Sequence, residues 1–415
     1  MEQGMGKLIH NVLTTRIFEN KDVLTDKYIP PGEPIHRNAQ VNLVASHLVP
    51  ALKDQTPRNC FIYGMMGSGK TIVTKYVLGE IISKAKELNK NIRSCYINCR
   101  FNRVASTIMG EIINSFSPTP QPLGGQITKK IDNITTIMQK LTGHFIIVLD
   151  EVDHLGKGRT DQTNLLYILT RLTTTKEALQ DITVSTVAIS NDTKFFESLD
   201  GRIQSSFGGE EFIFPPYNSA QLQDILKQRA EKAFKPGVLD DSVVPLCAAY
   251  ASQEHGDARK AIELLRISGE IAERSEDEKI LEQHVRNARA KREMDRTTEI
   301  LRTLPIQTKA VMLSIILNEE NGKDALTTGE VYDIYHVVSK KADISVLTQR
   351  RVADLISSLD AAGLINARVI SFGRGGRTME IRNSVPIGPA KETLLQDETL
   401  NSLKDYKIQT RRKHF

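Results

Sequence analysis

The chain has 415 residues, 40% hydrophobic and 25% charged, with a formal net charge of +5. That length exceeds what one core supports and predicts two to four domains, while the ordinary apolar and charged fractions exclude an extensively disordered chain. No apolar run approaches the roughly 18 residues of a membrane span, and "MEQGMGKLIHNVL" at the amino terminus lacks a signal-peptide core, so a soluble cytoplasmic protein with no membrane partner is expected.

Residues 1–25 read as an N-terminal arm. From 26 to 214, β-prone runs at 60–64, 93–99, 145–151, 183–190 and 210–216 alternate with helical-period segments such as Thr71–Leu88, Asn102–Phe116 and Ile127–Leu141. Strands alternating with helices imply a parallel α/β sheet. Uniformly apolar "FIIVL" fits a central strand buried on both faces. Cys60, Cys95, Cys99 and Cys247 lack paired C-x-x-C spacing and sit among apolar residues, which predicts reduced core thiols, not a zinc site.

After Pro215–Pro216 the pattern is helical only, and 215–295 reads as an all-α unit. The charged "RAKREMDRTTEI" reads as a linker to a third region, 303–385, with helices at 306–319, 328–339 and 346–362 followed by "RVISFGRGGRTMEIR". Three helices and a glycine-tipped hairpin are the order of a winged helix. Residues 386–415 read as a polar tail, frayed or loosely docked.

"GMMGSGKT" fits G-x-x-x-x-G-K-[ST], a loop whose backbone N–H groups cradle phosphates. Gly64, Gly67 and Gly69 relieve crowding where the chain wraps the anion, and Met66, Ser68 and Ile72 belong to the same loop and helix start. Lys70 is suited to the β and γ phosphates and the Thr71 hydroxyl to Mg²⁺. At the end of "FIIVLDE", Asp150 is suited to the Mg²⁺ shell and Glu151 to polarising a water for in-line attack. These motifs make ATP or ADP with Mg²⁺ the expected cofactors.

The order of "YIPPGEPIHRNAQVNLVASHL", "GMMGSGKT", "FIIVLDEVDHL", "VAISND", "LDGRIQSSF", "IFPPYNSAQLQDILKQRA", "GDARKAIELLR" and "QRRVADLISSLDAAGLI" resembles the AAA+ ATPases, and within them the archaeal origin-recognition and cell-division-control type of replication initiator, over residues 25–385. The resemblance implies a AAA+ core, a helical lid and a C-terminal winged helix. It implies that Asn191 is sensor 1, that Arg202 is an arginine finger serving a neighbouring subunit, and that Arg259 is sensor 2 on the lid. Tyr217 and Arg229 match lid-side positions near the nucleotide, and Ile29, Pro30, His36 and Arg37 match the segment that wraps adenine. The family more usually has an acidic residue at Asn38.

In a winged helix the third helix enters the major groove and the hairpin reaches minor groove or backbone. Helical periodicity turns Val352, Leu355, Ile356 and Leu359 to the core and leaves Thr348, Gln349, Arg350 and Arg351 outward, with Arg374 and Arg377 at the hairpin tip. An insertion touching DNA, implied by the resemblance, falls at 117–130. The expected partners are duplex origin DNA, an MCM-type replicative helicase and further copies of the chain on DNA, with weak ATP hydrolysis as a switch. A clamp-loader or remodelling subunit and a nucleotide-switched transcription regulator remain open alternatives.

Overall fold

The computed structural model of the chain describes residues 16–155, 159–172, 182–207, 211–371 and 377–406. Two compact units meet in sequence between Asn287 and Ala288. Among the described residues no helix is long and apolar enough to cross a membrane.

The first unit carries α1 (Asn38–Leu48), β1 (Cys60–Gly64), α2 (Lys70–Glu87), β2 (Ile92–Asn98), α3 (Ala105–Phe116), α4 (Ile127–Leu141), β3 (Gly143–Asp150), α5 (Arg159–Arg171), β4 (Ile182–Ser190), α6 (Gly201–Ser206) and β5 (Glu211–Phe214). The strands form one parallel sheet in the order β2-β3-β4-β1-β5. Strand β3 lies inside the sheet between β2 and β4, and its residues Phe145 to Leu149 are wholly buried. Alternation along that strand sends Phe145, Ile147 and Leu149 into a core with Ile108, Ile112 and Met138, and sends Ile146 and Val148 into another with Val73, Val77 and Ile81. The four cysteines are buried and unbridged.

A helical lid completes this unit with α7 (Ser219–Ala233), α8 (Val243–Gln253) and α9 (Ala258–Arg274). Asn218 and Gln221 close a capping box on α7, and Asp257 caps α9 through the N–H groups of Arg259 and Lys260. The end of the expected arm is built into this lid. The Phe18 ring packs at a tilt against Phe234, centroids 5.1 Å apart, and Glu19 N–H donates to the Ala233 carbonyl at 2.9 Å.

The segment expected as a linker is helical: α10 runs unbroken from Glu282 to Thr303. Pairs at four-residue spacing, Arg286 with Glu282 and Arg289 with Glu293, support a helix that has few apolar residues to bury. The second unit continues with α11 (Ile306–Glu320), β6 (Leu326–Thr327), α12 (Thr328–Lys341), α13 (Gln349–Ala361), β7 (Ile365–Ser371), β8 (Arg377–Asn383) and α14 (Ile387–Leu395). Its antiparallel sheet has the order β6-β8-β7. The region read as a frayed tail is instead structured as far as it is described. Ala390, Leu394, Leu395, Leu400 and Leu403 are buried with Met312, Ile316 and Val338 in one core.

Candidate functional site

The strand order brings three segments together at the carboxyl edge of the first sheet, where open α/β sheets bind ligands. Strand β1 ends at Gly64 and feeds the glycine loop, its neighbour β4 ends at Ser190 just before Asn191, and β3 ends at Asp150 just before Glu151. A cavity of about 420 Å³ opens there. Gly67, Ser68, Gly69, Lys70, Thr71 and Ile72 line it from the loop and α2, while Asp150, Glu151 and Asn191 line it from the strand ends. Tyr217, Arg229 and Arg259 close it from the lid side, and Ile29 and Pro30 from the N-terminal segment.

The loop is held tightly. Gly67 and Gly69 have φ of 71° and 89°, in the left-handed region that favours glycine. A Cβ on Gly69 would come within 2.6 Å of the Tyr217 hydroxyl. Lys70, 5% exposed, donates to the carbonyls of Gly64 at 2.7 Å and Met65 at 2.9 Å. Burial pushes its pKa down to about 8; Arg259 adds to that, and Asp150 opposes it.

Around Asp150 the donors come from three elements. Thr71 Oγ1 donates to Oδ2 at 2.9 Å, Tyr96 Oη donates to the same oxygen, and Glu151 N–H donates to Oδ1 at 2.9 Å. A hydroxyl beside a carboxylate is a hard oxygen set that fits Mg²⁺, an ion that takes few protein ligands and fills its shell from phosphate and water. Glu151 itself has φ of 56°, which turns the chain sharply after β3. Asp153 Oδ1 accepts from Asn191 N–H and from Ser190 Oγ, both at 3.0 Å, and so fixes the end of β4.

Five residues named from the sequence stand off the cavity wall. Gly64 lies beneath the loop, packed against the Phe214 carbonyl, and Met66 is half exposed. His36 pairs with Asp224 of α7 at 2.8 Å. Arg37 is buried, donating to the carbonyls of Ser68 at 2.9 Å and Pro215 at 2.6 Å with its guanidinium 3.7 Å over the Tyr217 ring. Arg202 is exposed in the first turn of α6. Arg229, although on the wall, spends its guanidinium on the carbonyls of Val23 at 2.6 Å and Tyr28 at 3.2 Å. Arg37 and Arg229 therefore hold the loop and the N-terminal segment in shape.

Three family models match the chain: the AAA family of ATPases associated with various cellular activities over 60–212, the Cdc6 AAA+ ATPase-type lid domain over 223–290, and the CDC6 C-terminal winged helix domain over 299–393. The "ORC1-type DNA replication protein 1" of Methanosarcina mazei is 44% identical across 100% of this chain and 99% of its own. The chain belongs to the ORC1/Cdc6 family of replication initiators. The Pyrococcus horikoshii ORC1-type DNA replication protein is likewise 44% identical, over 96% of this chain and 95% of its own. The Aeropyrum pernix ORC1 protein, solved in complex with DNA, matches at a TM-score of 0.74 and 38% identity, covering 94% of this chain and 100% of that one.

In this ORC1/Cdc6 winged helix, Thr348 is the N-cap of α13, and Gln349, Arg350 and Arg351 form its exposed first turn. Val352, Ile356 and Leu359 are buried beneath it, with Leu355 partly covered. Arg374 lies outside the described residues, and Arg377 is described only as the first position of β8. On the hairpin's solvent face Glu380 takes Arg368 on one oxygen and Arg382 on the other, each at 2.7 Å. Within 117–130 the basic helix start is only half outward. Lys129 is exposed, but Lys130 is buried and donates to the Pro122 carbonyl at 2.9 Å.

Sequence reasoning passed over Tyr96 and Asp153. The second sits in "DEVDH", where a third acidic residue two positions past Glu151 was a signal; the first has no motif, since only strand pairing reveals it.

Proposed function

We propose that the chain is an ATP-binding replication initiator that recognises duplex origin DNA through its winged helix and ATPase-domain insertion, helps recruit or load an MCM-type helicase, and uses slow hydrolysis of ATP to ADP as a switch. The observation that carries this reading is that Arg259 of the lid shares one cavity with Lys70, Glu151 and Asn191 of the sheet domain. A triphosphate in that cavity would touch lid and sheet at once, so lid angle would report nucleotide state.

The loop N–H groups and Lys70 bind the phosphates, and a phosphate partner restores the charge that burial disfavours on Lys70. Thr71 and Asp150 would hold Mg²⁺, which would supply positive charge to offset that of the phosphates. Glu151 accepts a proton from the attacking water, the Asn191 amide orients that water, and the Arg259 guanidinium stabilises charge on the transferred group. Arg202, exposed on α6, suits a neighbour's site in copies assembled on DNA. The exposed first turn of α13 enters the groove, where arginine bonds phosphate or guanine and glutamine bonds adenine. The A. pernix relative solved with DNA supports this direction.

The test is a duplex-DNA titration across a salt series with ATP, comparing wild type with Arg350→Ala/Arg351→Ala. Loss of two phosphate contacts weakens binding and flattens the salt slope by about 2. Equal, negligible binding by both proteins sinks the reading.

A further inference from the structure

We propose that Tyr96 is a positioning residue for Asp150, holding its carboxylate in the orientation that receives the magnesium ion of a bound nucleotide. The inference rests on the nucleotide reading above.

It starts from the sheet. Strands β2 and β3 pair in parallel with Tyr96 beside Val148 and Asn98 beside Asp150, so Tyr96 lies one two-residue step below the carboxylate on the neighbouring strand. Side chains two apart share a face of the sheet. The phenol therefore rises along that face to Asp150 Oδ2, the oxygen that also takes the Thr71 hydroxyl at 2.9 Å. With Glu151 N–H on Oδ1, the carboxylate plane is fixed by three donors.

These donors are not equivalent. Thr71 belongs to the cavity wall, and its oxygen would be shared with the metal; Tyr96 does not line the cavity, so its bond to Asp150 survives loading of the site. The ring is held in turn by Lys75, whose ammonium lies 4.7 Å over it from one turn beyond Thr71 on α2. Groups that orient a metal ligand without touching the metal typically change metal affinity by about 10–100-fold when removed.

A fluorescent anthraniloyl-labelled ADP reports the effect in the full-length chain, titrated once in EDTA and then with increasing Mg²⁺. For Tyr96→Phe, affinity in EDTA stays within about twofold of wild type while the Mg²⁺ midpoint rises about tenfold. Added to Asp150→Asn, the same substitution produces no further rise, because it acts through that carboxylate. An unchanged midpoint overturns the proposal, as does a parallel loss in EDTA, which would mark Tyr96 as a packing residue. A wild-type protein that binds the labelled ADP with no response to Mg²⁺ overturns the magnesium reading itself and takes this inference with it.

Discussion

Gly67 of the phosphate loop lies flush against Asp257, the residue that caps lid helix α9: a Cβ built on Gly67 would overlap the Asp257 carboxylate. The Ala258 N–H also reaches back to the Gly67 carbonyl at 3.4 Å. Loop and lid are thus in backbone contact beside the cavity. Gly67→Ala forces one of them away and places a side chain at φ of 71°, which alone costs about 1–2 kcal/mol. A loss of at least about tenfold in nucleotide affinity, equivalent to about 1.4 kcal/mol, is expected in a fluorescence titration. Unchanged affinity would mean that the loop does not depend on the lid.

Lys70 makes the site costly to the fold. Its pKa falls from 10.5 to about 8 on folding, so the unfolded chain holds the extra proton between those values. Stability from this group therefore rises with pH through that window, and below pH 8 the full penalty, about 3 kcal/mol, is present. Lys70→Met removes the charge and keeps most of the stem, at the cost of two hydrogen bonds to carbonyls. At pH 7 without nucleotide the variant is expected to melt at or above the wild-type temperature, with the advantage shrinking toward pH 10, and ATP should no longer raise its melting temperature. A variant melting several degrees lower at pH 7 would contradict the burial argument.

Asp153 fixes the segment that carries Asn191, the residue to which the proposed function gives the orienting of the attacking water. Its carboxylate receives both Asn191 N–H and Ser190 Oγ, so Asp153→Ala frees the segment that carries the Asn191 amide. Hydrogen bonds to a charged group are worth about 1.5–3 kcal/mol, which predicts a fall of about tenfold or more in the hydrolysis rate. Nucleotide affinity should change little, because Asp153 is not on the cavity wall. An equal loss of affinity and rate would give Asp153 a general structural role.

What the sequence disclosed follows from how local each signal is. The glycine loop and the acidic strand end are contiguous, and the alternation of strands and helices carried the sheet, so the parts of the cavity they build were legible. The contacts that Arg37 makes, and the place of Tyr96, were not, for a common reason. Arg37 finds its partners at Ser68 and Pro215, and Tyr96 meets Asp150 only because β2 and β3 pair in one register. Such contacts exist only once distant segments have met, and no local pattern encodes them. The run "RAKREMDRTTEI" failed differently. Its polarity matched a linker, but charge pairs at four-residue spacing support α10 without an apolar stripe.

On the hairpin of the second unit, Glu380 pairs with both Arg368 and Arg382 and so offsets one of their two positive charges. The two arginines hold its pKa below the usual carboxylate range, Arg382 first, so it is ionised at neutral pH. Glu380→Gln adds one net positive charge to an exposed face that the proposed function turns toward DNA. Affinity for random duplex should rise and the salt slope steepen by about 1. If affinity and slope are both unchanged, this face does not approach DNA.

The C-terminal helix makes a prediction that a frayed tail would not. Residues 386–406 put Leu394, Leu395, Leu400 and Leu403 into the core of the winged helix, and Lys309 pairs with Asp397 at 2.8 Å. Burying a leucine is worth about 1.5–3 kcal/mol, so removing four approaches or exceeds the whole stability of a domain, about 5–15 kcal/mol. The sequence hid this because Pro386 and Pro389 read as helix breakers, whereas Pro386 is the N-cap and Pro389 lies in the first turn, where proline is well tolerated. A chain ending at Val385 should lose protection from proteolysis and from amide exchange in α11, α12 and α13. Its first unit has separate cores and should keep the nucleotide-induced rise in melting temperature. Undiminished protection in α11 would show that the winged helix is complete without α14.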